Sequence, residues 1–196
     1  MGIPCPGCGR EYDVALFAFG RTLHCTCGRR VGIEPRLRPP ESVPPRFLAD
    51  AMLGRLARWL RLLGFDTAWV QDVSDGELVR RAIDEGRVIL TRDRSLPSEW
   101  RVAGVHVLAA TAVLEQLRDV VAAFGLAEHA RPFTRCSACN TPLVPAPIEE
   151  VAAVLPPRVV ARQREFRRCP GCGRVYWHGS HATRMKTVLD RLLAGP

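Results

Sequence analysis

The eight cysteines of this chain constrain its folding most, because they fall into four close pairs: Cys5/Cys8, Cys25/Cys27, Cys136/Cys139 and Cys169/Cys172. Two pairs lie near the start and two near the end. Both Cys-Pro-Gly-Cys-Gly stretches, at Cys5 and Cys169, carry the tight glycine-bearing turn that aims two thiolates at one ion. Four thiolates complete a tetrahedral zinc shell, and a C-x-x-C pair repeated at two places is its usual sequence form. The spacing predicts one structural zinc ribbon from Cys5, Cys8, Cys25 and Cys27, and a second from Cys136, Cys139, Cys169 and Cys172. In the first, His24 is an alternative ligand to Cys25. In the second, the insert over residues 141–168 predicts a side element, helical around Ile148–Val154 and again around Pro157–Glu165.

A disulfide framework is the competing reading, since an even cysteine count permits it and small secreted domains use it. Two features favour zinc. Met1 to Arg10 holds no apolar signal segment, and Cys25-Thr-Cys27 is too close to bridge to itself comfortably. The expected location is therefore cytoplasmic. No apolar run approaches about 18 residues, so no membrane partner is expected.

The chain of 196 residues carries a net charge of +8, unevenly spread. Residues 129–196 hold 11 basic and 4 acidic groups, a net +7, whereas residues 46–128 come to −1. A cationic module beside a carboxylate-bearing one suits a polyanionic substrate such as nucleic acid. Charge for solubility alone is the bland alternative.

Four segments follow: an N-terminal ribbon over 1–33, a proline-rich linker over 34–45, a core over 46–128, and a C-terminal ribbon with helical insert and terminal helix over 129–196. In the core, short apolar runs at Arg46–Asp50, Thr67–Val70, Arg87–Thr91 and Val102–Leu108 read as strands. Met52–Leu63 reads as a helix with Leu53, Leu56, Ala57, Leu60 and Leu63 on one face. Ser74 and Glu77 form a capping-box pattern opening a helix to about Glu85. Thr111–Phe124 is the last core helix. This alternation predicts an α/β fold with a parallel sheet and flanking helices.

Sites in such sheets form at the carboxyl ends of strands. Asp50 ends the first strand, Asp72 and Asp75 follow the second, and Asp93 follows the third. Clustered carboxylates are tolerable around a hard divalent cation such as Mg²⁺ or Mn²⁺, which can activate water against a phosphodiester. Structural readings stand beside this. Asp75 is a good helix N-terminal residue, and Asp93 could cap a turn with Ser95. Asp66 and Asp84 read as ordinary surface acids. Arg55, Arg58 and Arg61 read as a solvated helix face, with Arg55 the best phosphate candidate and Arg92, beside Asp93, a further one.

The stretch FLADAMLGRLARWLRLLGFDTAWVQDVSDGELVRRAIDEGRVILTRD, followed by RCSACN, PPRV and FRRCPGCGRVYWHGSHATRM, closely resembles the PIN-like RNase domain of the Mut-seven C-terminal family, over about residues 46–186. The resemblance implies a metal-dependent ribonuclease with catalytic acids at Asp50, Asp75 and Asp93, and Asp72 as an additional possibility. A fourth late acid has no match, since VLAAT over 107–111 offers only Thr111. The N-terminal ribbon lies outside the resemblance.

RNA is thus the expected partner, gripped by Arg167, Arg168, Arg174 and His181 of the C-terminal ribbon. The structural alternative for His178 and His181 is that they cap the last helix and pack the ribbon. The alternative function is a non-catalytic RNA-binding or ribosome-associated adaptor with a degenerate site. A phosphoacceptor receiver domain fails, because the first strand ends in one acid and the core has no lysine. The sequence leaves oligomeric state unknown.

Overall fold

The structure, a computed structural model, describes residues 2–33 and 43–194, so most of the linker expected over 34–45 lies outside the described residues. The chain forms two compact units, Met1–Gly54 with Ala68–Ala110, and Arg55–Thr67 with Thr111–Pro196.

The first unit opens with two antiparallel hairpins, β1 (Gly2–Pro4) with β2 (Glu11–Asp13), and β3 (Leu23–His24) with β4 (Arg30–Val31). Among the described residues, Cys5, Phe17, Cys25 and Val31 form the buried cluster of these hairpins, with Ile3, Tyr12 and Leu23 packed against it. A module this small relies on a staple rather than on apolar area. It joins the rest of the unit through backbone bonds: Thr22 N donates to Glu99 O at 2.5 Å and Arg101 N to Gly20 O at 2.5 Å. Gly20 has φ 80°, and a Cβ there would lie 2.9 Å from Arg101 O, so the contact requires glycine.

The main sheet comprises β5 (Arg46–Ala49), β6 (Thr67–Trp69), β7 (Arg87–Thr91) and β8 (Val105–Val107), in the order β6-β5-β7-β8. All four strands run parallel. Phe47, Leu48 and Ala49 are fully buried, the continuous apolar run of a strand covered on both faces. The chain leaves β5 toward β6 on one side and returns to β7 on the other. The sheet therefore reverses its winding beside β5, the place where a crevice opens at the carboxyl ends of strands. Ala49 pairs with Leu90, so Asp50 and Thr91 emerge side by side at that edge.

Helix α1 (Gly54–Leu62) follows a 3-10 turn at Ala51–Leu53, and α2 spans Asp75–Glu85. Ser74 caps α2 by accepting from Glu77 N at 3.3 Å, and Gly86 ends it at φ 61°. Half of the expected capping box is replaced: the Glu77 carboxylate pairs with Arg80, which also reaches Asp84 at 3.0 Å. Leu78, Val79 and Ala82 of α2 pack with Leu48, Ile89, Leu96 and Trp100. The fourth strand is shorter than expected, and α3 (Leu96–Glu99), with Pro97 in its first turn, was not foreseen.

In the second unit α4 (Val113–Ala123) stops before Gly125, at φ 59°. The expectation for Arg61 is corrected. It is only 4% exposed and donates to Thr67 O at 2.8 Å, Ala138 O at 2.7 Å and Ser137 O at 3.2 Å. Its guanidinium satisfies carbonyls of the Cys136–Cys139 turn, a tie that a periodicity argument cannot reveal. Asp66 is corrected as well. It accepts from Asn140 Nδ2 at 2.8 Å and lies 3.7 Å from Arg135, while Asn140 Oδ1 accepts from Thr67 N.

The insert forms β9 (Val144–Ala146), α5 (Ile148–Val151), a 3-10 turn at Ala152–Val154 and α6 (Pro157–Arg162), close to the helical positions expected. Strands β10 (Phe166–Arg168) and β11 (Val175–Trp177) complete an antiparallel sheet ordered β11-β10-β9, and helix α7 (Ser180–Leu193) follows. Gly179 is the N-cap of α7 and no side chain caps it, so neither His178 nor His181 has the capping role. His178 instead lies edge-on to Phe133, ring centroids 5.7 Å apart.

Candidate active site and metal centres

All eight cysteines are free, and they gather into the two expected groups. Within each, four sulfur atoms lie within 4.8 Å of one another. Close pairs are Cys5–Cys27 and Cys8–Cys25 at 3.5 Å, Cys136–Cys172 at 3.6 Å and Cys139–Cys169 at 3.3 Å. A tetrahedron with Zn–S bonds of about 2.3 Å has edges of about 3.8 Å, so both groups fit structural zinc. His24 is exposed and outside the group, which corrects its standing as an alternative to Cys25.

Neighbouring amides, hydroxyls and thiols shift several of these cysteines in opposite directions. The Cys27 amide and the Tyr12 hydroxyl pull Cys25 down to about 5. Cys27, despite the Arg29 amide, is pushed up to about 11 by Cys5 and burial. In the second group, burial opposes ionisation of Cys139, yet the Thr141 hydroxyl and amide bring it to about 6. Cys172, despite the Arg174 amide, is pushed up to about 12 by burial and Cys169. Metal ligation takes cysteine as thiolate, so binding a cation at either group would release protons.

Each group has a tyrosine that the sequence reading passed over. Tyr176 Oη lies 3.0 Å from Cys136 Sγ, and Tyr12 bonds Cys25. The signal was present, because CPGCGREY at 5–12 and CPGCGRVY at 169–176 repeat over eight positions with one change. In both, the tyrosine reaches a thiol of the other cysteine pair. The expected effect of Tyr176→Phe is a zinc affinity lower by about 10- to 100-fold with the ring packing kept. Competition against a chromogenic chelator checks it.

The acids occupy the carboxyl edge of β5 and β7. Asp50 Oδ1 accepts from Ala51 N at 2.6 Å, and Oδ2 accepts from Thr91 Oγ1 at 2.7 Å. The same Thr91 hydroxyl accepts from Asp93 N at 3.0 Å. Thr91 is fully buried and ties two of the acids to adjacent strand ends. Asp93 is held in turn by Ser95, whose N and Oγ donate to Oδ1 at 2.7 and 2.8 Å. The expected turn with Ser95 and the position at the strand end therefore coexist.

Asp75 opens α2. Its carboxyl is raised above the ordinary aspartate range, first by burial and then by the charges of Asp93, Glu99 and Asp50. Because the folded value is raised, the neutral form favours the fold; that contribution fades as pH rises from the unfolded value through the folded one. The residue is still exposed, so water screens the repulsion. Glu99 is the acid that sequence reasoning missed. It lies on α3, outside any strand end, and tertiary packing brings it within range of Asp75.

Among the described residues, no cation pairs with Asp50, Asp75, Asp93 or Glu99, and only the cysteine groups draw three or more candidate ligand atoms within 4.8 Å. The acidic cluster is looser than the sulfur sites. Asp72 sits exposed at φ 54° and is not among the groups acting on Asp75. Arg55 and Arg92 are exposed, as are Arg167, Arg168, Arg174 and His181 of the second unit. No described helix is long and apolar enough to cross a membrane.

A parallel α/β sheet with acids at its switch point and two four-cysteine modules defines the class. The chain belongs to the Mut7-C RNAse domain family, whose model matches residues 45–189. That membership gives it a nuclease or RNA-related role. No curated protein and no solved structure matches it. The family match excludes the N-terminal ribbon, which nevertheless shares a compact unit with the acids.

Proposed function

We propose that the chain is a ribonuclease that hydrolyses RNA phosphodiester bonds with Mg²⁺ or Mn²⁺. The observation that carries this is the convergence of Asp50, Asp75 and Asp93 at the sheet's switch point, within a family described as RNases. Asp50 and Asp93 would hold the cation directly or through water. Asp75 and Glu99 would add negative charge that a metal relieves. When bound, such a cation lowers the pKa of water and stabilises charge on the phosphorane-like transition state. Thr91 and Ser95 are positioning residues, since their hydroxyls fix the Asp50 and Asp93 carboxylates at low conformational cost. Two structural zinc ions, held by the cysteine groups, would keep both ribbons folded. Association with a ribosome finds no support in the family match.

The testing experiment is Mn²⁺-dependent cleavage of generic single-stranded RNA by the full chain. Cleavage should appear on adding Mn²⁺ or Mg²⁺ and be absent without divalent metal. A protein that holds two zinc ions yet cleaves no RNA with either metal overturns the catalytic reading and leaves a non-catalytic RNA-binding role.

A further inference from the structure

The second unit contains a groove of about 1320 Å³ between α6, the β10–β11 sheet and the start of α7. It exceeds the roughly 300–1,000 Å³ typical of small-molecule sites, which suits a polymer. Arg158, Arg162, Arg164 and Arg167 line it, all exposed. Among the described residues none of the four makes a salt bridge, whereas a fifth arginine of the lining, Arg135, lies 3.7 Å from Asp66. Glu165 is the single acid on its wall. Four guanidinium groups without an ion pair therefore share one concave surface, where they offer bidentate contacts to phosphate.

The same wall carries aromatic faces. Trp177 is half-buried and packs against the Ala146, Val151 and Phe166 cluster. The edge-to-face pair Phe133–His178 also lines the groove. Arginines on a backbone track, interleaved with stacking platforms, are the chemistry that recognises unpaired nucleotides rather than duplex. An acidic peptide would use the charge but not the rings.

We infer that this groove is a binding site for single-stranded RNA, with phosphates on Arg158, Arg162, Arg164 and Arg167 and a base stacked on Trp177. The site narrows the earlier expectation: Arg167 and His181 line the groove, whereas Arg168 and Arg174 do not. It rests on the ribonuclease reading only for the identity of the polymer.

The test is anisotropy of a labelled decauridylate on the zinc-loaded full chain without added divalent metal, so that binding is read apart from cleavage. Arg158→Glu with Arg162→Glu should weaken binding on the order of tenfold or more and lower the slope of log affinity against log salt by about 1.4, or 0.7 per lost contact. Arg118→Glu, an exposed change outside the groove, should bind like the parent. Trp177→Ala should lose about 5- to 150-fold. Trp177→Phe should restore most of that affinity and abolish RNA-induced tryptophan quenching, which a purely structural role for Trp177 would not do.

Unchanged affinity and slope in the double-arginine variant overturns the site. So does equal or tighter binding of a duplex of the same length, or full displacement of RNA by polyglutamate at equal charge. A parent that binds but never cleaves defeats the ribonuclease reading and leaves the groove standing. A parent that cleaves while the groove variants bind normally does the reverse.

Discussion

Asp50→Asn and Asp93→Asn are each expected to lower Mn²⁺-dependent RNA cleavage by about 100- to 1,000-fold, equivalent to about 3–4 kcal/mol in the barrier. The swap keeps shape and removes the charge that holds a cation. It also keeps most of the local bonds. An Asn at 50 can still accept from Ala51 N, while its amide donates to Thr91 Oγ1 in place of accepting from it. An Asn at 93 keeps an acceptor for Ser95. Without metal both variants should melt no lower than the parent, because the cluster of Asp50, Asp75, Asp93 and Glu99 loses repulsion. Asp75→Asn should be milder, since Asp75 adds charge to the cluster while Asp50 and Asp93 would hold the cation. Asp84→Asn is the proper control, as its exposed pair with Arg80 is worth little. Asp66→Asn is unsuitable, because Asp66 anchors Asn140 and Arg135. Asp50→Asn cleaving as fast as the parent would move the site elsewhere.

Cys169→Ser should cost the second unit its zinc and its ordered ribbon. Cys169 is fully buried at the centre of the group, and metal binding in small zinc modules supplies about 10–16 kcal/mol near neutral pH. The apolar clusters beside it are small, Cys136 with Leu143 and Ala146 with Val151 and Phe166, and cannot replace that amount. Elemental analysis should fall from two zinc ions per chain to one. Hydrogen exchange should accelerate through β9, β10 and β11 while amides of β5 and β7 stay protected. Two zinc ions in the variant, or an unchanged exchange pattern, would contradict the assignment of Cys169 as a ligand.

Much of this protein is decided locally. Four close cysteine pairs predict two four-sulfur groups, and both groups form as their spacing requires. Buried strands such as Phe47-Leu-Ala49 and the Ser74-capped α2 follow from apolar run length and capping chemistry, interactions within a few residues of one another. The acid at each strand end was legible for the same reason.

Packing between distant segments decided the rest. Arg61 belongs to an amphipathic helix by pattern, yet lies buried because carbonyls 76 and 77 residues away need its protons. Glu99 is an unremarkable helical acid until α3 brings it near Asp75. Thr91 couples Asp50 to Asp93 only because the sheet register sets the two strand ends side by side. The groove arginines look like a diffuse basic tail in sequence, and folding around the zinc ribbon gathers four of them on one wall. Short-range sterics, capping and ligand spacing made most elements and the charge- or sulfur-bearing residues legible, α3 and the ends of β8 excepted. The tertiary structure alone decided which charges meet, because Coulomb energy and hydrogen bonding depend on separations in space that no local pattern encodes.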